Sequence, residues 1–200
     1  MPKKRTPRDV MLDLTIGHWI ARLTYVAAKL KLADLLKDGP RTVEQLATAA
    51  SVQPPALYRV LRALACVGIF AETKAGRFEL TPLAATLQTG VHGSLHAWTL
   101  MINEKYTWDS WEELLHGVKT HEIPFVEAHG LMPFEYLELH PEDLAVFGQS
   151  MTSLSGTENP AIASVDVRLF DVLDGPSVIT RGLSPSGQTP ENARAPRAAV

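Results

Sequence analysis

The 200-residue chain has one cysteine, Cys66, so it can form no internal disulfide framework and fits a reducing compartment. Cys66 stands in a helix-like apolar stretch and is expected to be a small core hydrophobe rather than a nucleophile. No stretch approaches the roughly eighteen uninterrupted apolar residues of a membrane span. Asp9, Asp13 and His18 interrupt what would be a signal-peptide core, so a soluble, cytoplasmic protein is expected. An excess of positive charge is also missing. The formal net charge is −3, and the single basic cluster, Lys3, Lys4, Arg5 and Arg8, precedes the first apolar run and is read as a solvated tail. No GxSxG, P-loop or CxxC string occurs. Glu112 and Glu113 are adjacent, so on a helix they point apart and cannot act as an acid–base pair. His92 and His96 are spaced to share a helix face as zinc ligands do, but no third ligand follows at a diagnostic spacing and Gly93 weakens that helix; no metal is expected.

The pattern over residues 9–37 is helical. Leu12, Ile16, Trp19, Leu23, Val26 and Leu30 fall in one stripe, which Ile20 and Ala27 widen. So apolar a helix needs cover, either from the rest of the chain or from a second copy. Pro40 stops this helix, and Thr42 with Gln45 reads as a capping box for a short helix carrying Leu46, Ala47 and Ala50. Ser51-Val52-Gln53 makes a turn, and Pro54 and Pro55 open the next helix, with Leu57, Leu61, Leu64 and Gly68 along its inner face. Residues 69–72 and 77–80 read as two strands joined by a Lys74-Ala75-Gly76 turn. Helix, turn, helix and two-stranded wing predict a winged helix. Further helices are expected over residues 95–104, 108–118, 134–139 and 142–155. After Asp174, prolines alternate with Gly, Ser, Asn and Arg without any aromatic residue, and residues 181–200 are expected to be disordered.

A winged helix invites a DNA-binding reading, because its second helix can enter a major groove. That helix offers Tyr58, Arg59 and Arg62, and the wing adds Lys74 and Arg77 while Glu72 and Glu79 subtract from them. Phosphate contacts dominate such affinity and call for a clustered basic face, so a packing and dimerisation module is the favoured reading and a transcriptional regulator the alternative.

Several strings carry a family resemblance: Ala33-Asp34-Leu35-Leu36, Leu57-Tyr58-Arg59-Val60-Leu61-Arg62-Ala63-Leu64, Phe78-Glu79-Leu80-Thr81-Pro82-Leu83-Ala84, residues 111–120 (WEELLHGVKT), Phe134-Glu135-Tyr136-Leu137 and Phe147-Gly148-Gln149-Ser150-Met151. Over residues 10–163 the chain resembles the S-adenosylmethionine-dependent O-methyltransferases that act on phenolic and polyketide hydroxyls in plants and bacteria. The resemblance implies a mainly α fold of intertwined-dimer type: a basic tail (1–8), a helical dimerisation and winged-helix domain (9–90) and a helical roof over the acceptor (91–163). It further implies a homodimer, and a small aromatic substrate facing Trp108, Trp111, Phe147 and Met151. Stacking from Trp and Phe and adaptable contact from Met suit that task, although the same residues at helical spacing also suit plain core packing.

In such enzymes a strand then leads into a glycine-rich turn, because backbone must approach the methyl donor closely there. Here Val165-Asp166-Val167 runs into Arg168-Leu169-Phe170-Asp171 with no glycine before Gly175. Residues 164–180 resemble a vestige of the donor-binding domain, in which Asp171 would take the place of the acidic residue that bonds the donor's ribose. The Rossmann-like domain is expected to be absent or vestigial, and none of the seven histidines inherits the general base by motif. The expectation is a truncated, catalytically inactive dimerisation and substrate-binding part that does not bind S-adenosylmethionine alone. It could also partner a full-length methyltransferase.

Overall fold

A computed structural model describes residues 6–155. Asp171, the expected vestige (164–180) and the expected disordered tail (181–200) lie outside the described residues, as does most of the basic N-terminal tail.

Helix α1 (Pro7–Lys29) begins ahead of the expected Asp9 because Thr6 and Asp9 close a capping box. The Asp9 amide donates to the Thr6 hydroxyl at 3.2 Å, the Thr6 amide donates to the Asp9 carboxylate at 2.9 Å, and Pro7 fits the first turn. The helix also ends sooner than the apolar pattern predicts. Lys31 enters the left-handed region (φ 50°), and the chain resumes as α2 (Leu32–Leu35). That corner carries Leu32, Ala33 and Leu36 into the core already holding Ala27. It is pinned by the Asp34 carboxylate, which accepts the Thr89 amide at 2.9 Å and the Thr89 hydroxyl at 3.0 Å.

The Thr42–Gln45 capping box forms as expected, with Gln45 N–H donating to the Thr42 hydroxyl at 3.3 Å and Thr42 N–H to the Gln45 side chain at 2.9 Å. It opens α3 (Val43–Ala50), and Pro54 and Pro55 open α4 (Pro54–Cys66). Leu57, Leu61 and Leu64 are buried along α4. Cys66, expected in the core, is exposed: two residues past Leu64 it sits on the opposite side of the helix. Gly68 likewise lies beyond the helix rather than on its inner face, at φ 79°, where it turns the chain into the sheet.

Strands β2 (Phe70–Glu72) and β3 (Arg77–Leu80) form an antiparallel hairpin in the register Phe70↔Leu80, Ala71↔Glu79 and Glu72↔Phe78. Gly76 at φ 69° closes its turn. A strand without a sequence signature, β1 (Arg41–Thr42), pairs with the other edge of β3 and gives the order β1-β3-β2. Two residues are too few to show alternation. Phe70 and Phe78 are fully buried against Leu32, Leu36, Leu46, Leu61 and Leu64 in one continuous core. Each such side chain contributes about 1.5–3 kcal/mol by leaving water.

Thr81 caps α5 (Pro82–Ala85) and donates its hydroxyl to the Ile69 carbonyl at 2.6 Å. A helical layer follows: α6 (His96–Met101), α7 (Lys105–Glu112), α8 (Leu114–Thr120), α9 (Pro124–His129), α10 (Pro133–Leu139) and α11 (Pro141–Ser155). The single helix expected over 108–118 is therefore two, broken at Glu113, and α9 is opened by Pro124 where no helix was expected. His92 and His96 share no helix face. Gly93 (φ 72°) turns the chain, α6 begins only at His96, and the His96 ring lies 3.1 Å from the Ala28 carbonyl. Among the described residues no helix is long and apolar enough to cross a membrane.

Candidate functional site

The helical layer encloses a small apolar hollow of about 190 Å³, lined by Met101, Ile102, Tyr106, Thr107, Phe125, Pro133, Leu137 and Phe147. Proline-opened starts at α9 and α10 bring Phe125 and Pro133 to its wall, and α11, packed along α6, supplies Phe147. The one hydroxyl-bearing aliphatic residue in the lining is occupied: Thr107 donates to the Met101 carbonyl at 2.9 Å. Behind the hollow stands an aromatic cluster. Tyr106 and Tyr136 lie 5.4 Å apart, Phe125 and His129 4.6 Å, and Tyr136 stacks on His140 at 3.8 Å. The His129 ring is fixed 2.8 Å from the Tyr106 carbonyl. Burial raises the pKa of both Tyr106 and Tyr136 above the ordinary phenol value, so each stays neutral near pH 7. Burial, followed by the charge of Glu104, raises Asp143 on the adjoining helix. Among the described residues the lining is apolar apart from the Tyr106 and Thr107 hydroxyls.

A polar latch ties this layer to α1. The Arg22 guanidinium donates to the Asn103 carbonyl and lies 4.6 Å above the Tyr25 ring and 5.3 Å from the Trp108 ring. Glu104 accepts the Tyr25 hydroxyl at 2.9 Å and pairs with Lys29. Burial and then the Glu104 hydrogen bond raise the Tyr25 pKa. Burial alone would lower that of Lys29, but the Glu104 hydrogen bond and charge raise it on balance.

Of the residues expected to face a substrate, Phe147 lines the hollow. Met151 stands one turn further along α11 and is half-buried, Trp108 is held in the α1 latch, and Trp111 points outward at 55% exposure. These three are not in the hollow's wall. Asp171 lies outside the described residues. Tyr106 and Phe125 were missed by the sequence reading. Phe125 follows Pro124 in a helix too short to show a period, and nothing in the sequence around Tyr106 separates it from the larger Trp108 two residues on.

Two other chemistries can be tested on the geometry. Arg62 on α4 is paired with Glu72 at 2.9 Å, with the Tyr58 hydroxyl 3.4 Å from the same carboxylate, and Arg77 leans on the Pro40 carbonyl at 3.4 Å. On the helix a DNA reader would use, the Arg62 charge is thus countered within the protein by Glu72. A donor such as S-adenosylmethionine needs a strand running into a glycine-rich turn at a helix N-terminus. Among the described residues β1 runs straight into the Thr42 cap, β2 into a hairpin and β3 into Thr81-Pro82, so this group does not fit there.

Residues 12–90 match the O-methyltransferase dimerisation domain. The chain is 38% identical over 162 residues to a phenazine O-methyltransferase from Lysobacter antibioticus, covering 81% of this chain and 47% of that protein. It is 34% identical to an O-demethylpuromycin-O-methyltransferase from Streptomyces alboniger, covering 78% of this chain and 41% of that protein. The crystal structure of LaPhzM superposes with a TM-score of 0.72 at 37% identity, over 76% of this chain and 45% of that one. The chain thus spans somewhat under half the length of the curated relatives it matches.

Proposed function

Because the chain belongs, through its N-terminal region, to the O-methyltransferase family, we propose that it is the dimer-forming and acceptor-covering part of a small-molecule methyltransferase. The observation that carries the proposal is the front of α1. Leu12, Leu14, Ile16 and Trp19, inside the region that matches a dimerisation domain, and Val10 and Met11 just ahead of it are exposed on the same helix whose other end is buried. A second copy of this chain supplies the cover, and the α3–α4 pair with its β-hairpin serves as a winged helix used for packing. A full-length methyltransferase could take the second copy's place.

The hollow beside Phe147 is read as part of the roof over a flat aromatic acceptor, to which Trp108, Trp111 and Met151 would contribute from outside the hollow's wall. Support comes from the aromatic lining and from the phenazine named in one relative's activity. S-adenosylmethionine supplies the methyl group in such enzymes. On this reading these 200 residues do not bind it and transfer no methyl group by themselves; support comes from the lack of fit among residues 6–155 and from the run Val165 to Asp171 without glycine. Calorimetric titration of the purified chain with S-adenosylmethionine, with its mass in solution recorded alongside, tests both halves. A dimer without binding heat is expected. A monomer would overturn the dimer reading, and saturable donor binding would overturn the reading of the donor site.

A further inference from the structure

The corner between α8 and α9 gathers three side chains that neither the dimer nor the acceptor roof uses. His116 comes from α8, Glu122 from the turn after it, and Glu127 from α9. The Nε2 atom of His116 lies 2.7 Å from a Glu122 carboxylate oxygen and 3.9 Å from a Glu127 carboxylate oxygen, and the three donor atoms all fall within 4.8 Å of one another. From this cluster we infer a binding site for one divalent transition ion of the zinc type, held by one imidazole nitrogen and two carboxylates, with the remaining position open to water.

Donor atoms around a tetrahedral zinc ion, at metal–ligand distances near 2.1 Å, stand about 3.4 Å apart. The two His116 distances straddle that value, and rotation of the two exposed glutamate side chains would bring the third pair, within 4.8 Å, to the same spacing. Mixed imidazole and carboxylate donors suit zinc, nickel and cobalt better than calcium or magnesium, which prefer oxygen alone.

The backbone beneath the three residues is closely determined. A side chain at Gly117 would meet the Pro124 ring at 2.8 Å and the Glu122 carbonyl at 2.9 Å, so glycine lets α8 and α9 close to this distance. His121 ends α8 in the left-handed region (φ 66°), and the Thr120 hydroxyl accepts the Glu122 amide at 3.2 Å while donating to the His116 carbonyl at 3.0 Å. Glu122 is thereby aimed back over α8. Beside it Glu122, Glu127, His121, Ile123, Val126 and Met132 line an open hollow of about 410 Å³, which leaves room for a water ligand. The bound ion would act as a clip between α8 and α9, a structural role that does not depend on the methyltransferase reading.

The test is titration of the full, tag-free chain, stripped with chelator, with zinc(II) by calorimetry and with cobalt(II) by visible absorption. Uptake of one ion per chain is expected. His116→Ala and Glu127→Gln should each weaken it at least about tenfold, since loss of even supporting groups costs 10–100-fold in metal sites, while a His92→Ala/His96→Ala double variant binds as the parent does. The three ligands are on the surface, so an unchanged far-ultraviolet circular dichroism spectrum confirms that each variant is folded. No saturable uptake at millimolar ion, or uptake that survives His116→Ala, overturns the inference. Loss in His121→Ala with retention in His116→Ala would place an ion on the neighbouring imidazole and overturn it equally.

Discussion

The two halves of the described chain are both rich in apolar side chains, the first the richer, and they are very differently covered. Every residue of the continuous buried core lies between Ala27 and Leu87, where the end of α1, helices α2 to α5 and a small sheet close around Phe70 and Phe78. From α6 onward the buried apolar residues shrink to Ala97, Tyr106 and Leu137, none of them fully buried, while Trp111, Leu115, Val118, Phe134 and Leu139 stay exposed. The front of α1 resembles the second half in this respect. The first half is a self-sufficient core. The helical layer and the front of α1 carry apolar surface of the kind that marks an interaction face.

The sharpest way to break this comparison is to cut equal cavities in the two halves. Leu61→Ala, at a site with no exposure and neighbours on every side, should cost about 2–5 kcal/mol in urea unfolding. Leu137→Ala should cost about 2 kcal/mol, the low end of that range, because the looser helices around it can collapse into the space. Equal losses would mean that the helical layer is as tightly packed as the core and that its exposed apolar residues are incidental.

A smaller effect separates the two capping boxes. Thr42→Ala removes a cap that starts α3 at the edge of the core and should cost about 1 kcal/mol. Thr6→Ala removes the same motif at the exposed start of α1, where a helix end frays more easily than at the edge of a core. It should cost about 0.5 kcal/mol or less in thermal or urea unfolding. A larger loss at Thr6 than at Thr42 would show that the front of α1 is held in place within the single chain.

What could be read from the sequence follows the same division. The Thr42–Gln45 box, the proline pair that opens α4, the Leu57-Leu61-Leu64 stripe and the Gly76 hairpin are local signals, and each appears where expected. The break at Lys31, the short strand β1 and the division of α7 from α8 at Glu113 are decided by packing between distant segments, and no local period reports them. Cys66 is exposed for a different reason: its apolar neighbourhood in sequence says nothing of which side of the helix it occupies. In the acceptor layer Phe147 could be read and Tyr106 and Phe125 could not, because the hollow is assembled from five short helices and has no motif of its own. The His116-Glu122-Glu127 corner is equally invisible, since its spacing of six and then five residues crosses a helix end and a proline.

The smallest effect on stability should come with a large effect on assembly. Trp19 is 60% exposed, and its ring meets the His18 ring next to it at 5.8 Å. Trp19→Ser therefore removes little that holds a single chain together, and unfolding followed at a dilution where the parent is monomeric should move by no more than about 0.5 kcal/mol, as exposed substitutions do. At the concentrations where the parent is a dimer, the same change takes a large aromatic anchor from the proposed interface, so light scattering should report half the mass. The two readouts fail in different ways. A variant that keeps the dimer mass puts the interface somewhere other than the front of α1. A variant that loses stability as a monomer shows that Trp19 was packed within its own chain, and the contrast between a covered core and an uncovered helix would no longer stand.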